Sequence, residues 1–155
     1  MTHRALTAEG FRIDWGNSSW LAALHTAALA TLVAMTQESF ATPAYIIGLA
    51  WWWLSNTAIG AGYHRYFSHP THEARWPVQI FYLLFGAGSF QGPASRWARQ
   101  HRAHHAFSDS QRDPCSVVRG FWWAHLWWIA YRSPYAAQWN QPRDLALRSR
   151  LVVWQ

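Results

Sequence analysis

Two long stretches of the chain carry no charged side chain. Neither residues 15–37 nor residues 39–63 contain an Asp, Glu, Lys or Arg, and both stretches are mostly apolar. Because a helix of about 20 mostly apolar residues crosses a bilayer, we predict two transmembrane helices, at about 18–37 and 42–62. A short connector makes them a hairpin, and residues 63–155 form the predicted cytoplasmic and interfacial helical region.

Two further apolar stretches are shorter. Residues 76–95 are uncharged, but their dense apolar part is only 78–90 and is flanked by prolines. That length suits a helix that lies in the membrane interface rather than one that crosses the bilayer. Residues 121–131, "FWWAHLWWIAY", contain four Trp, which favour the membrane–water interface. We therefore predict a second interfacial helix there.

Composition and charge agree with a membrane location. Tryptophan accounts for 13 of the 155 residues, and charged residues make up only 13% of the chain. The 13 basic residues are all Arg, scattered singly between apolar blocks, so we expect lipid headgroup contacts and no nucleic-acid binding. Two Arg precede the predicted hairpin and eleven follow it, which places both of its ends in the cytoplasm. The prediction is one all-α, multi-pass integral membrane domain over residues 1–155.

Five histidines fall into two groups whose spacing is suited to a shared metal site. His64 and His69 lie in "GYHRYFSH", and His101, His104 and His105 lie in "RQHRAHHAF". Positions i, i+3 and i+4 share one helical face, so the second group presents three imidazoles together. His64 and His69 are about 140° apart on an ideal helix and converge only if the helix end is distorted. Imidazole is a common ligand of zinc, copper, iron and nickel; the alternative is that these histidines are solvated or contact headgroups.

The other histidines have less specific surroundings. His25 and His125 lie within apolar segments and are predicted to be hydrogen-bonded packing residues. His72 follows His69 by three residues and is a candidate to hydrogen-bond a metal ligand. His3 is predicted to be solvated.

Three motifs give a specific resemblance to a known family. The segments "GAGYHRYFSH", "WARQHRAHHAFSDSQRDP" and "RGFWWAHLWW" resemble the acyl-CoA Δ9 type of membrane fatty-acid desaturase, the stearoyl-CoA desaturase family. The resemblance covers roughly residues 45–135 and keeps the order and spacing of the first two histidine boxes. It implies four transmembrane helices beneath a cytoplasmic cap, and two nonhaem irons bound by histidines of three boxes. It also implies that the irons activate O2 to remove two hydrogens from a saturated acyl chain.

The resemblance assigns roles residue by residue. The implied iron ligands, with no catalytic residue beyond them, are His64, His69, His101, His104 and His105. Trp97 and Arg99 match the stretch that touches the thioester and headgroup region of acyl-CoA. Arg132 matches a basic residue that contacts CoA phosphates. Trp52, twelve residues before His64, matches a residue that bounds the acyl tunnel, with a lipid-facing Trp as the alternative.

The chain departs from the family pattern at the third histidine box. No N-x-x-H-H or H-x-x-H-H motif is present, and no histidine follows His125. Three explanations are open: a fragment of a longer desaturase, an inactive truncated product, or a site completed by a second polypeptide. The apolar "LVVWQ" at residues 151–155 favours the fragment.

The predicted function is desaturation of an acyl-CoA or acyl lipid with O2 and two electrons. No haem or flavin motif is recognisable, so we expect an external donor of the ferredoxin or cytochrome b5 type. The alternatives are a related membrane fatty-acid hydroxylase and a noncatalytic membrane protein that binds a metal or haem. A zinc hydrolase is disfavoured because neither box contains the Glu of an H-E-x-x-H site.

Overall fold

Helices dominate the fold, as the sequence predicts. The computed structural model describes residues 10–37, 42–140, 144–145 and 149–154. Two sequence-based predictions fall partly outside these ranges: the turn of the hairpin and the solvated His3. The chain forms two compact units: Met1–Phe40 with Ala103–Trp139, and Ala41–Arg102 with Asn140–Gln155.

In the first unit, helix α1 spans Trp15–Gln37 and has no buried residue. Its first turn is capped by Asp14, whose Oδ1 accepts a hydrogen bond from the backbone N–H of Asn17 at 3.2 Å. Of the helices that the structure describes, this one is long and apolar enough to cross a membrane. Its boundaries agree with the first predicted span.

The rest of the first unit is irregular. Strand β1, Arg12–Ile13, pairs antiparallel with strand β2, Tyr131–Arg132. The short helix α5 spans Phe121–His125. Three 3₁₀ turns complete the unit: Val117–Arg119, Trp127–Ala130 and Ala136–Gln138.

The prediction of a continuous interfacial helix over residues 121–131 is therefore wrong. The helix ends at His125 and the chain continues as a 3₁₀ turn and then a strand. The backbone N–H of Asp14 donates to the carbonyl of Ala130 at 2.8 Å. This bond and the β1–β2 pairing use backbone groups that a longer helix would need for itself.

In the second unit, helix α2, Thr42–Thr57, passes directly into a π-helical segment, Ala58–Ser68. Helix α3 spans Trp76–Ala87, and helix α4 spans Ala94–Phe107, whose last five residues belong to the first unit. A 3₁₀ turn, Arg150–Trp154, follows.

The second predicted span does not appear as one regular transmembrane helix. At 16 residues, α2 is shorter than a typical span, so the hairpin stays a prediction. Helix α3, at 12 residues, agrees in length with the predicted short helix and begins with Pro77 in its first turn.

Helix α3 and the π-helical segment approach closely through glycine. A Cβ at Gly62 would lie 2.6 Å from the Cβ of Tyr82, and one at Gly86 would lie 2.6 Å from Cζ of Tyr63. Each helix thus presents a glycine to an aromatic ring of the other. Around this contact lies the core of the unit: Tyr63, Tyr66, Phe67, Tyr82, Leu83, Ala94, Ala98, Leu145 and Val152.

Candidate metal centre

The π-helical segment brings His64 and His69 together. The backbone N–H of His69 donates to the carbonyl of His64 at 3.1 Å, which is the i→i+5 bond of a π-helix. A second bond closes the same turn, from the Ser68 hydroxyl to the carbonyl of Tyr63 at 2.7 Å. The two imidazole centroids lie 4.9 Å apart. The predicted distortion of the helix end is therefore confirmed, and π-type hydrogen bonding is its physical form.

His101 of α4 completes a cluster of three imidazoles. Its ring centroid lies 4.6 Å from that of His64 and 5.0 Å from that of His69. The Nε2 atoms of His69 and His101 are 2.9 Å apart, and one ring nitrogen from each histidine lies within 4.8 Å of the others. All three side chains are half-buried. This cluster, His64–His69–His101, offers three nitrogen donors at one point.

Two neighbours hold the cluster in place. The Trp97 ring stacks on the His101 ring at 4.8 Å with an interplanar angle of 22°, and its Nε1 donates to Oε1 of Gln91 at 2.9 Å. Because the indole is fixed at both its face and its N–H, it restricts rotation of the His101 imidazole. Trp97 also lies 6.3 Å from His64, centroid to centroid.

Arg102 fixes the carboxyl end of the π-helical segment. Its guanidinium donates to the carbonyls of Phe67 at 2.8 Å and Ser68 at 2.9 Å. The same group forms a bidentate pair with Asp144, at 2.7 and 2.8 Å. Carbonyls at a helix end have no partner within the helix, so Arg102 anchors the residues that immediately precede His69. Sequence reasoning missed this role, although the arginine directly follows His101.

His104 has different surroundings, in the first unit. Its Nδ1 lies 3.0 Å from Oδ1 of Asp113, a fully buried carboxylate. Cys115 contributes its backbone N–H to the same oxygen at 3.0 Å, and its Sγ lies 3.7 Å away. The ring of His105 lies 5.7 Å from that of His104. We refer to His104, Asp113 and Cys115 as the His104–Asp113 cluster; one potential ligand atom from each lies within 4.8 Å of the others.

The histidines of the second box therefore lie in two different surroundings. His101 joins the imidazoles of the first box, whereas His104 pairs with an acid. Sequence reasoning did not assign Asp113 and Cys115 to the site, although Asp113 belongs to the D-P pair that the family resemblance included.

The buried acid also affects its neighbours. Burial, followed by the charge of Asp113, raises the pKa of the Cys115 thiol from 9.0 to about 12. Burial lowers the pKa of the Arg119 guanidinium, against the opposing effect of Asp113. Arg119 donates to the carbonyl of Asp113 at 2.8 Å and packs over the ring of Phe11 at 4.9 Å. Cys115 is thus a thiol, not a thiolate, at neutral pH.

Comparison with curated proteins identifies the relatives of this chain, although no family model matches it. It is 38% identical to the stearoyl-CoA desaturase of Mesocricetus auratus over 118 residues, which are 76% of the chain and 33% of the relative. It is 35% identical to the stearoyl-CoA desaturase of Homo sapiens over 144 residues, 91% of the chain and 40% of the relative. Acyl-CoA desaturase 1 of Saccharomyces cerevisiae is 38% identical over 85 residues, 55% of the chain and 17% of the relative.

The chain is homologous to part of the acyl-CoA desaturases. It spans between about a sixth and two fifths of the length of these three relatives, and the matched part is the N-terminal one. The family resemblance read from the histidine boxes is confirmed.

The residues that the desaturase resemblance assigned to substrate binding have different surroundings in the structure. Trp97 contacts the His64–His69–His101 cluster and lines an open groove of about 490 Å³ beside it, together with Thr57, Ile59, Gly60, Ala61, His64 and Arg65. Arg99 is half-buried on the same helix as Trp97. Trp52 is 62% exposed on α2, as its lipid-facing alternative requires.

Arg132 belongs to the first unit, where it pairs with Asp14. Its Nε donates to Oδ2 of Asp14 at 2.8 Å, and this hydrogen bond raises the pKa of the exposed guanidinium. The contact therefore gives Arg132 a structural partner.

The other histidines also have local partners. His72 contacts the hydroxyl of Tyr82 at 3.2 Å rather than another histidine. His25 contacts the carbonyl of Leu21 at 2.8 Å, and the ring of His125 stacks on Phe121 at 5.4 Å. The hydrogen bond predicted for His25 is confirmed, although its side chain is exposed rather than packed. The packing predicted for His125 is confirmed by its contact with Phe121.

Proposed function

We propose that this chain is part of a di-iron fatty acyl desaturase, which inserts a double bond into a saturated acyl chain using O2 and two electrons. The observation that carries the proposal is the convergence of three imidazoles, His64, His69 and His101, in a chain homologous to acyl-CoA desaturases. The His104 and His105 imidazoles are the further proposed ligands.

The residues present fit iron. The Nε2 atoms of His69 and His101 are 2.9 Å apart, so two N–H groups cannot face each other and at least one nitrogen presents its lone pair. Among the described residues, no carboxylate belongs to this cluster. An all-imidazole set suits iron, as well as zinc, copper and nickel, and the homology favours iron. Bound iron would supply the oxidising power that removal of hydrogen from an unactivated methylene requires.

The protein side chains would position the substrate. The groove beside His64 has apolar walls from Ile59, Ala61 and Trp97, and its volume of about 490 Å³ is in the range of ligand sites. An acyl chain of an acyl-CoA or acyl lipid would lie there, with its polar end toward Arg65. We keep Arg99, Arg132 and Trp52 as proposed substrate contacts, supported by the motif match alone.

A membrane location follows from the same proposal. Helix α1 would cross the bilayer, residues 42–62 would return as the second span, and the histidine sites would face the cytoplasm. The positive-inside distribution of Arg supports this orientation. The two electrons would come from an external ferredoxin or cytochrome b5.

The test is a product analysis in membranes that contain the iron-loaded chain, stearoyl-CoA, O2 and either electron donor. We expect a monounsaturated acyl product whose yield falls on the order of 100-fold in His101→Ala, because a ligand is lost. His125→Ala is the matched control, since this imidazole stacks on Phe121 outside both clusters.

Three outcomes would contradict the proposal. A hydroxylated product would indicate a membrane hydroxylase. A Soret band would indicate a haem protein. Desaturation that His101→Ala leaves unchanged would show that the imidazole cluster does not carry the reaction.

A further inference from the structure

We propose that Asp113 is a positioning residue, which holds the Nδ1 proton of His104 and so directs Nε2 of that imidazole to the metal. The inference rests on the proposed function, because it takes His104 as an iron ligand. Asp113 itself is not a ligand in this arrangement.

Both oxygens of the Asp113 carboxylate accept hydrogen bonds. Its Oδ1 accepts from Nδ1 of His104 and from the backbone N–H of Cys115, both at 3.0 Å. Its Oδ2 accepts from the backbone N–H of Asp109 at 2.9 Å. The Cys115 thiol lies 3.7 Å from Oδ1 as a further weak donor. The 0% exposure of Asp113 and its three N–H donors favour the role of a hydrogen-bond acceptor over that of a metal ligand.

The direction of the His104 hydrogen bond follows from the same contacts. Both oxygens of Asp113 already accept backbone N–H groups, and a carboxylate oxygen that accepts pairs with an N–H of the ring. The hydrogen between Nδ1 of His104 and Asp113 therefore belongs to the imidazole. In a neutral ring, Nε2 then carries the lone pair, which is the atom a metal needs.

Nε2 belongs to a side chain that is partly exposed. The side chain of His104 is 38% exposed, whereas that of Asp113 is 0% exposed. Within the described ranges, no residue forms a hydrogen bond with this nitrogen. The imidazole is thus tied through Nδ1 to a buried acid, and Nε2 is left for a metal ion.

The backbone around Asp113 is held on both sides, so the acid has little freedom to follow a moving histidine. Arg119 donates to its carbonyl at 2.8 Å, and Nε1 of the buried Trp123 donates to the carbonyl of Pro114 at 3.1 Å. On the other side, Asp109 adopts a left-handed conformation, φ 59°, and directs its N–H to the Asp113 carboxylate. A carboxylate fixed in this way orients the ring and increases the basicity of the ligating nitrogen.

The first measurement is the tautomer of His104 in the metal-free chain, by ¹⁵N NMR in detergent micelles. We expect the Nδ1–H tautomer in the wild-type chain. In Asp113→Ala, which removes the acceptor, a substantial Nε2–H population should appear. The matched control is Asp109→Asn, which makes an acid-to-amide change on the same turn at an exposed side chain and keeps the backbone N–H.

The second measurement is Fe(II) affinity, by equilibrium titration of the same chains. We expect Asp113→Asn to weaken binding about 10- to 100-fold and Asp109→Asn to leave it unchanged. Far-UV circular dichroism checks that each variant keeps its helices, and the wild-type tautomer is informative even where a variant does not fold.

The outcomes separate this inference from the proposed function. An Nε2–H tautomer in the wild-type chain, or equal Fe(II) affinity of wild-type and Asp113→Asn chains, overturns the positioning role alone. A wild-type chain that binds no Fe(II) overturns the proposed function and this inference with it. Strong Fe(II) binding that is lost in Asp113→Asn but kept in His104→Ala would make Asp113 itself a ligand, contrary to the inference.

Discussion

The two histidine clusters hold their imidazoles in different ways. In the His64–His69–His101 cluster, three rings face one another, and the aromatic face of Trp97 and backbone hydrogen bonds hold them. In the His104–Asp113 cluster, a single imidazole is held by a buried acid. The first arrangement gathers nitrogen donors, whereas the second orients one donor. Both use histidines from the same box, so the surroundings and not the motif decide how each ring is held.

The largest expected effect comes from removing a ring from the first cluster. His101 contacts both histidines of the first box, so His101→Ala should reduce the Fe(II) affinity of the chain on the order of 100-fold. Loss of a residue that only hydrogen-bonds a metal ligand costs about 10- to 100-fold, and loss of a ligand should cost at least as much. Equilibrium titration of Fe(II) measures this change. His25→Ala, an imidazole on α1 that contacts only a local carbonyl in the described contacts, should bind as the wild-type chain does; equal loss in both variants would contradict the cluster.

A glycine pair tests how the first cluster depends on packing. Gly62→Ala would place a Cβ 2.6 Å from Tyr82 and should destabilise the second unit by about 1–3 kcal/mol through overpacking. Gly60→Ala lies in the same π-helical segment with nothing within 4 Å of its added Cβ, so it should be neutral or slightly stabilising. Thermal unfolding followed by circular dichroism compares the two, and equal midpoints would refute the close approach.

Arg102→Lys should disturb the first cluster and leave the second unchanged. A lysine ammonium cannot form the bidentate pair with Asp144 and bond two carbonyls in the same fixed geometry. The residues that precede His69 then lose their anchor, and we expect Fe(II) affinity to fall about tenfold, as when an outer partner of a ligand is lost.

The ¹⁵N tautomer of His104 provides the control for this prediction, because it depends on Asp113. A tautomer change in Arg102→Lys would show that the substitution acts on more than the first cluster.

The smallest effect concerns the thiol in the second cluster. Because the pKa of Cys115 is about 12 in the folded chain against an ordinary 9.0, its protonated form contributes stability fully below pH 9.0. That contribution is lost as the pH rises toward 12, where an unfolded thiol has already ionised. A pH titration of thiolate absorbance should show no step near pH 9.0 until the protein is denatured. A native step there would contradict the burial of Cys115 beside Asp113.

Sequence patterns predicted those features that depend on neighbours along the chain. Helix α1 was predictable because 23 successive uncharged residues leave few alternatives. The break after His125 was not, because it depends on pairing of Tyr131 with Ile13, more than a hundred residues away.

The same distinction holds for the candidate site. The need for distortion between His64 and His69 follows from helical geometry, so it was predicted. The partnership of His104 with Asp113 was not, since it depends on a turn in which Asp109 takes a left-handed conformation. Contacts made through such a turn leave no periodic signal in the sequence.

The π-helical segment makes the geometry of the site depend on the number of residues between His64 and His69. The i→i+5 hydrogen bonds of residues 58–68 accommodate a wider turn than an α-helix of the same sequence would have. Deleting one residue between His64 and His69 would leave every histidine in the chain. It would, however, reduce the spacing of the two histidines from i, i+5 to i, i+4 and rotate the later residues of the turn about the helix axis. The deleted chain would retain both histidines of its first box but lose the geometry of the site, so a list of its histidines alone would not reveal the defect.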